Sequence, residues 1–262
     1  MIELDLDDRL RAVRHWLGTW PAAEVVETSG WLLQATEGFT KRANAALRLA
    51  PDAPIDPVIE FYTARGLRPS VVDYAGLADP LPAELLGDGW HALEFDPVLA
   101  MPITGLRLPE LRGTVEVQLH GQTPPERWLA GWFASGRQDS AVARALVTGS
   151  AWQAFALIDD PDASPANELP VAVGRIAVDG GWAGVNAMWT RPDQRGRGYA
   201  GMVLQALAGA AQQIGAGYLQ LSVEHDNHAA RAAYAKAGFG QVDRYRYLFA
   251  PADGRERSGH QG

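Results

Sequence analysis

The stretch Thr190-Arg-Pro-Asp-Gln-Arg-Gly-Arg-Gly-Tyr-Ala-Gly-Met202 decides the fold of this chain. Its polar first part predicts a loop after a strand, and Tyr199 begins a predicted helix. Gly196 and Gly198 lack Cβ atoms, so the backbone can turn sharply and several amide N–H groups can converge on one point. Such a cup at a helix N-terminus binds phosphate oxygens. The alternative interpretation is a surface turn with solvated arginines.

Residues 196–201 also match the GxGxxG pattern of dinucleotide-binding folds. Glu224 lies near the spacing at which such folds place a ribose-binding acid. In that pattern the first glycine ends the strand almost directly, whereas here the polar connection 190–194 intervenes. Few residues follow for a second mononucleotide-binding half, so a dinucleotide site is the weaker alternative.

Length and composition restrict the class of protein. The 262 residues exceed the usual size of one hydrophobic core and predict two domains. The absence of cysteine excludes disulfides, thiolate metal sites and a cysteine nucleophile, and no metal site is indicated. The net charge of −8 argues against a nucleic-acid partner. An acidic N-terminus and the lack of a long apolar run predict a soluble cytoplasmic protein with no membrane partner.

The second half of the chain predicts a strand, a loop, a helix and a parallel strand. An apolar strand at 182–190 leads into the glycine loop, and the helix after the loop ends at Gly215. Residues 218–224 alternate as a strand does. Asn227 then caps a second helix that ends at Gly238, and a closing strand follows.

The first half predicts a similar mixture of helices and strands. Its expected elements are a helix at 7–17, strands at 31–35 and 43–49, a helix at 55–66, a strand at 70–73, a helix at 82–87 and a strand at 91–101. Proline and glycine punctuate the segment before Gly113, which predicts a domain boundary near Arg112. We therefore expect an α/β protein with two domains, 1–112 and 113–262, each a mixed sheet flanked by helices.

Residues 113–249 resemble the GNAT superfamily of acetyl-CoA-dependent N-acyltransferases. The Arg/Gln-x-x-Gly-x-Gly/Ala loop of that family matches Arg195-Gly-Arg-Gly-Tyr-Ala200. Its later Asn-x-x-Ala-x-x-x-Tyr helix matches Asn227-His-Ala-Ala-Arg-Ala-Ala-Tyr234. One departure is Tyr199, at a position that is usually aliphatic in the family.

The resemblance implies a site for acetyl-CoA as co-substrate. Backbone amides of the loop would hold the coenzyme pyrophosphate, the strand before the loop would pair with the pantetheine arm, and the first residue of the helix motif would contact the coenzyme. The implied cofactor-binding residues are Met188, Trp189, Thr190, Arg195, Gly196, Arg197, Gly198, Tyr199, Ala200 and Asn227. Tyr234 would protonate the leaving thiolate, because a tyrosine stays protonated at neutral pH.

The general base is less well indicated. An amine must lose a proton before it attacks, so a base or a water path is needed. The strand 182–190 contains no carboxylate, where some members of the superfamily place a base. Glu224, Asp179 and His120 are candidates because they lie at predicted strand ends. Of these, Glu224 is the expected catalytic residue.

The first half repeats the glycine spacing of the second half. Gly66 and Gly89 are as far apart as Gly215 and Gly238, and an aromatic residue follows the second glycine of each pair. Superposing the pairs puts Leu85 in the position of Tyr234, Ala78 in that of Asn227, and Leu47 and Leu49 in those of the loop glycines. The first half is thus interpreted as a degenerate copy without the loop, and the alternative is a coincidence in a glycine-rich chain.

Together these features predict an N-acetyltransferase that moves an acetyl group from acetyl-CoA to a primary amine of a small molecule, peptide or protein. The alternative is a non-catalytic module that binds acyl-CoA. Within the superfamily the variable helices and loops select the acceptor, here 123–149 and 159–168. The sequence indicates neither the acceptor nor the oligomeric state.

Overall fold

The computed structural model describes residues 6–107, 118–159 and 169–252. Its contacts divide the chain into two compact units. Unit 1 comprises Met1–Pro21 and Pro97–Val242, and unit 2 comprises Ala22–Asp96 and Asp243–Gly262. The predicted mixed α/β class is confirmed, because each unit combines strands with helices.

The described residues form seven α-helices and twelve strands. The helices are α1 (Leu6–Gly18), α2 (Asp56–Thr63), α3 (Leu81–Gly87), α4 (Glu126–Phe133), α5 (Ala141–Val147), α6 (Tyr199–Gln213) and α7 (His228–Ala237). The strands are β1 (Glu24–Thr28), β2 (Trp31–Ala35), β3 (Leu47–Arg48), β4 (Ser70–Tyr74), β5 (His91–Ala92), β6 (Asp96–Pro102), β7 (Gln118–His120), β8 (Trp152–Ile158), β9 (Ala172–Asp179), β10 (Trp182–Thr190), β11 (Tyr218–Ser222) and β12 (Gly240–Phe249). None of the described helices is both long and apolar enough to cross a membrane.

Unit 1 is built on a mixed sheet in the order β6-β11-β10-β9-β8-β7. The strands β10 and β11 run parallel through the crossover helix α6, and the other neighbours run antiparallel. Glycines let helices approach both faces: a Cβ on Gly174 would lie 2.6 Å from Val203 of α6, and one on Gly184 would lie 2.2 Å from the hydroxyl of Thr19. The strands β9 and β10 therefore lie between α6 on one face and the end of α1 on the other.

The two units differ from the expected contiguous halves 1–112 and 113–262. The boundary near Arg112 lies outside the described residues, as does most of the loop 159–168. The first helix belongs to unit 1, because Thr19 packs over Gly184 and its carbonyl accepts a hydrogen bond from buried Arg175 at 2.8 Å. Strand β12 enters unit 2 at Asp243 and pairs with β4 there. The N-terminal segment therefore belongs to unit 1, with most of the second half, and the C-terminal segment belongs to unit 2, with most of the first half.

Unit 2 contains an antiparallel three-stranded sheet, β1-β2-β3, and the pairs that β4 and β5 make with β12. Its apolar core is formed by side chains from β2, β4, β12 and the helices α2 and α3, among them Trp31, Val58, Tyr62, Leu85 and Leu248. The expected strand 43–49 is shorter than predicted, because residues 42–44 form a 3₁₀ turn and only Leu47–Arg48 extends. The sequence reading also missed β1.

The element order of unit 2 parallels that of unit 1. A hairpin, a 3₁₀ turn, a helix, a strand and a helix occur in this order in both: β1, β2, α2, β4 and α3 in unit 2, and β9, β10, α6, β11 and α7 in unit 1. Unit 2 has in addition the strand β3 before α2 and a second 3₁₀ turn before α3. Both helix-ending glycines of the repeat, Gly66 and Gly215, have positive φ, +65° and +89°. This parallel is consistent with a tandem arrangement.

Candidate functional site

A cavity of about 660 Å³ in unit 1 is lined by the end of β10, the glycine loop, the first turns of α6, and α7. It brings together ten of the twelve residues that the sequence predicts for the site. Those ten are Met188, Trp189, Thr190, Arg195, Gly196, Gly198, Tyr199, Ala200, Asn227 and Tyr234. The two that do not line it are Arg197, which is exposed, and Glu224.

The glycine loop has the geometry of an anion cup. Gly196 and Gly198 have φ values of +77° and +86°, in the left-handed region that other residues rarely adopt, and no atom lies within 4 Å of where their Cβ atoms would be. Gly198 is the N-cap of α6. Among the described residues, no hydrogen-bond acceptor is recorded for the amides of residues 196–200. Free amides at a helix start favour a negatively charged ligand.

The strands β10 and β11 form a fork beside this loop. They pair only from Trp182 to Gly184, and past Gly184 the strand β10 keeps β9 as its recorded partner. A bulge between Asn186 and Trp189 puts Ala187 at φ +53° and redirects the strand. The fork therefore presents the β10 backbone at Met188–Thr190 to the cavity, where an extended ligand can hydrogen-bond to it.

Helix α7 forms the wall of the cavity opposite the loop. The Asn227 side chain caps it, because its Oδ1 accepts the amide of Ala230 at 3.1 Å. This leaves the Nδ2 group of Asn227 as the donor available to a ligand. The alanines of α7 have small side chains that leave room for the cavity. The cavity extends along the helix from Asn227 to Ala237.

Tyr234 is half-buried on α7 and lines the cavity. Its ring packs edge-on against Phe239, with ring centroids 5.5 Å apart, which fixes its direction. Burial raises the pKa of Tyr234 to about 12 because the charged phenolate is poorly solvated there. The hydroxyl therefore stays protonated at neutral pH and can act as a hydrogen-bond or proton donor.

The charged side chains among the described residues that line the cavity are all cationic. Arg107, Arg195 and Lys236 line it, whereas no Asp or Glu is among its described lining residues. Arg107 and Lys236 were not predicted. Arg107 follows β6, far from the motifs in the sequence, and its backbone amide donates a hydrogen bond to the Ala237 carbonyl at 2.9 Å. The position of Lys236, two residues after Tyr234, was the signal that could have identified it.

The three candidate bases lie outside the cavity lining. Glu224 is exposed between β11 and α7, at the same sheet edge as the glycine loop. Asp179 is at the opposite end of β10, beside Trp182, and accepts a hydrogen bond from His15 at 3.1 Å. His120 lies on β7, three strands from β10, which is about 14 Å at ~4.8 Å per strand. The structure therefore argues against Asp179 and His120.

Comparisons with known proteins identify the family and the fold. Residues 10–248 match the sequence model of the family described as "Probable histone acetyltransferase Rv0428c C-terminal". A relative from Bacillus subtilis (strain 168), named "Uncharacterized N-acetyltransferase YobR", is 24% identical over 257 residues, which cover 92% of this chain and 98% of the relative.

Solved structures share the fold. A GCN5-related N-acetyltransferase from Kribbella flavida matches with a TM-score of 0.68 at 16% identity, over 97% of this chain and 98% of that chain. A tandem GNAT protein from the clavulanic acid biosynthesis pathway matches with a TM-score of 0.51 at 15% identity, over 74% of this chain and 68% of that chain. The predicted GNAT resemblance is confirmed, which removes the support for a dinucleotide fold.

Proposed function

This chain belongs to the family described as "Probable histone acetyltransferase Rv0428c C-terminal", and from this membership we propose that it moves an acetyl group from acetyl-CoA to a primary amine. It is an N-acetyltransferase of the GNAT superfamily. The coenzyme, the acceptor class and the residue roles are what the proposal adds. The proposal depends on one observation: the glycine loop, the β10 backbone at the open fork and Tyr234 all line the same cavity.

The coenzyme would lie along this cavity. The amides of residues 196–200 suit the pyrophosphate, because they are uncommitted and the helix dipole of α6 favours an anion. The pantetheine arm would pair with the β10 backbone at Met188–Thr190, where β11 has diverged. Four residues of strand span about 13 Å at ~3.3 Å per residue, so the thioester would lie deep in the fork near Asn186.

The chemistry rests on placement and on one proton donor. The coenzyme supplies an acetyl thioester. The fork holds it beside the incoming amine, whose nitrogen attacks the carbonyl carbon as the carbon–sulfur bond breaks. A β10 amide near the bulge is suited to polarise the carbonyl oxygen. Tyr234 donates its proton toward the departing sulfur, and the raised pKa keeps that proton in place until then.

The amine proton needs a separate route, since no carboxylate is among the described residues of the cavity lining. We assign this role to Glu224, which follows β11 at the edge where the fork opens. Because Glu224 is exposed and outside the lining, it would accept the proton through water. Residues 1–112 would carry no second coenzyme site and would serve as scaffold or shape the acceptor site.

The test is a mass-spectrometric acceptor screen with the full chain and acetyl-CoA. A lysine peptide is included because the family description names histone acetyltransferase, and spermidine and phenethylamine represent small amines. We expect one of these classes to gain an acetyl group, with Tyr234→Phe as the low-activity control. Tight coenzyme binding without acetylation of any amine would favour the non-catalytic acyl-CoA-binding module.

A further inference from the structure

Two cations mark one end of the cavity. Lys236 is on the last turn of α7, and Arg107 is held beside it by the bond from its amide to the Ala237 carbonyl at 2.9 Å. Both side chains are exposed and both line the cavity. Lys236 lies about 14 Å along α7 from Asn227, at ~1.5 Å per residue. This end is thus distinct from the first turn of the helix.

Within the described part of the chain, neither cation is neutralised. No ion pair or side-chain hydrogen bond is recorded for Arg107 or Lys236 among the described residues. No Asp or Glu is among the described residues of the lining, although the whole chain carries a net charge of −8. In an acidic protein, a cavity whose described lining carries cations and no acid has the electrostatics of an anion site.

The helix dipole offers a simpler account. Cations near the C-terminal end of a helix are favourable whatever binds there, and both residues are near the end of α7. That account explains their stabilising effect on α7. It does not explain why both side chains line a cavity whose other end carries an uncommitted anion cup. A ligand with two separate anionic groups fits both ends.

We propose that Arg107 and Lys236 together bind a second anionic group of the acyl-coenzyme, in addition to the pyrophosphate at the glycine loop. This inference rests on the proposed function. Two groups have the required chemistry: the ribose 3′-phosphate of the coenzyme, and a carboxylate at the end of a dicarboxylic acyl chain. Either would form charge-assisted hydrogen bonds with the guanidinium and the ammonium group.

The experiment measures affinity by calorimetry with the full chain. The ligands are acetyl-CoA, 3′-dephospho-acetyl-CoA and succinyl-CoA, and the proteins are wild type, Arg107→Gln, Lys236→Gln and the double variant. Arg231→Gln is the matched control, since Arg231 is an exposed cation of α7 that does not line this cavity. We expect the double variant to lose about tenfold or more in affinity for the ligands that carry the bound group, which are acetyl-CoA and succinyl-CoA for the 3′-phosphate and succinyl-CoA alone for the acyl carboxylate, and the control to lose little.

The ligand arms identify the group that is bound. If it is the 3′-phosphate, the double variant and wild type bind 3′-dephospho-acetyl-CoA equally. If it is an acyl carboxylate, the loss is confined to succinyl-CoA. The inference is overturned if the double variant loses no more affinity than Arg231→Gln for every ligand, since the helix-dipole account predicts an effect on the stability of α7 and none on affinity. Because binding is measured directly, an absence of acetyl transfer would contradict the proposed function alone.

Discussion

In unit 1 the strand β10 leaves its parallel neighbour β11 after Gly184, whereas in unit 2 a short strand fills the corresponding gap. There β3 pairs with β2, and Ala46 bridges to Val71 of β4. The two units share a succession of elements but differ in whether the fork is open. The cavity of unit 1 therefore lies where no described segment pairs with the β10 backbone on the β11 side past Gly184.

The loops after the two hairpins differ in the same way. In unit 1 no hydrogen-bond acceptor is recorded for the amides of residues 196–200. In unit 2 the Asn44 side chain accepts the amides of Thr36 and Gly38, at 2.7 and 3.0 Å. The unit 2 loop thus satisfies its own donors, while the unit 1 loop keeps its donors for an anion.

The glycine loop gives the largest expected effect. Gly198→Asp should weaken acetyl-CoA binding about a hundredfold or more, because a carboxylate would enter the cup meant for phosphate. Calorimetry measures the loss, and an NADH titration tests the dinucleotide alternative. Gly215→Asp is the matched control, since Gly215 has φ +89° and equally open space. Equal losses in the two variants would attribute the effect to backbone strain.

Tyr234→Phe should lower turnover by about a hundredfold while coenzyme affinity stays the same, because the ring still packs on Phe239 and only the proton donor is lost. Steady-state kinetics and calorimetry on the same samples separate the two quantities. Tyr218→Phe, at an exposed tyrosine stacked on Trp182, is the control. Wild-type turnover in Tyr234→Phe would leave Tyr234 a packing residue.

Glu224→Gln should lower turnover by about tenfold at neutral pH, less than Tyr234→Phe, because an exposed base acting through water is partly replaced by solvent. The neighbouring exposed acid Asp226 provides the control variant, Asp226→Asn. If both variants turn over like wild type, the amine proton leaves by solvent alone and the fork needs no protein base.

The pH profile should show no effect of Tyr234 ionisation in the ordinary range. Burial raises the pKa of Tyr234 to about 12, above the usual value. The contribution of the neutral hydroxyl to the free energy of unfolding is therefore complete below about pH 10 and is lost as the pH rises through about 12. Turnover measured between about pH 6 and 10 should therefore not fall on the alkaline side because of this group. A fall in wild type that disappears in Tyr234→Phe would contradict the burial.

Unit 2, in which β3 fills the gap beside β2, should not contribute to acetyl-CoA binding. We expect one acetyl-CoA per chain, because β3 and Asn44 already occupy the positions that a second coenzyme would need. Asn44→Ala should cost about 1–3 kcal/mol in the free energy of unfolding, since two amides lose their acceptor, and leave acetyl-CoA affinity unchanged. Denaturation and calorimetry measure these. Two equivalent sites per chain would refute the distinction between the units.

Much of unit 1 could be read from sequence, because its signals are local. Glycines at a strand-to-helix turn, apolar periodicity and the Asn227 cap act within a few residues, and the structure has β10, α6, β11 and α7 close to the predicted bounds. In unit 2 the strand 43–49 was overestimated. The Asn44 side chain accepts the amide of Thr36, outside this segment, where residues 42–44 form a turn. Hydrophobic periodicity does not show which amides need such an acceptor.

The sequence by itself determined the glycine loop and the crossover unit, since these follow from glycine sterics and helical periodicity, and the GNAT resemblance implied Tyr234 beside them. Only the tertiary structure decided the rest. It placed Arg107 at the end of α7, kept Glu224 out of the cavity, and assigned the first helix and the last strand to opposite units. These outcomes depend on which surfaces pack and which backbone groups find partners across long sequence separations, and local patterns carry no information about such pairings.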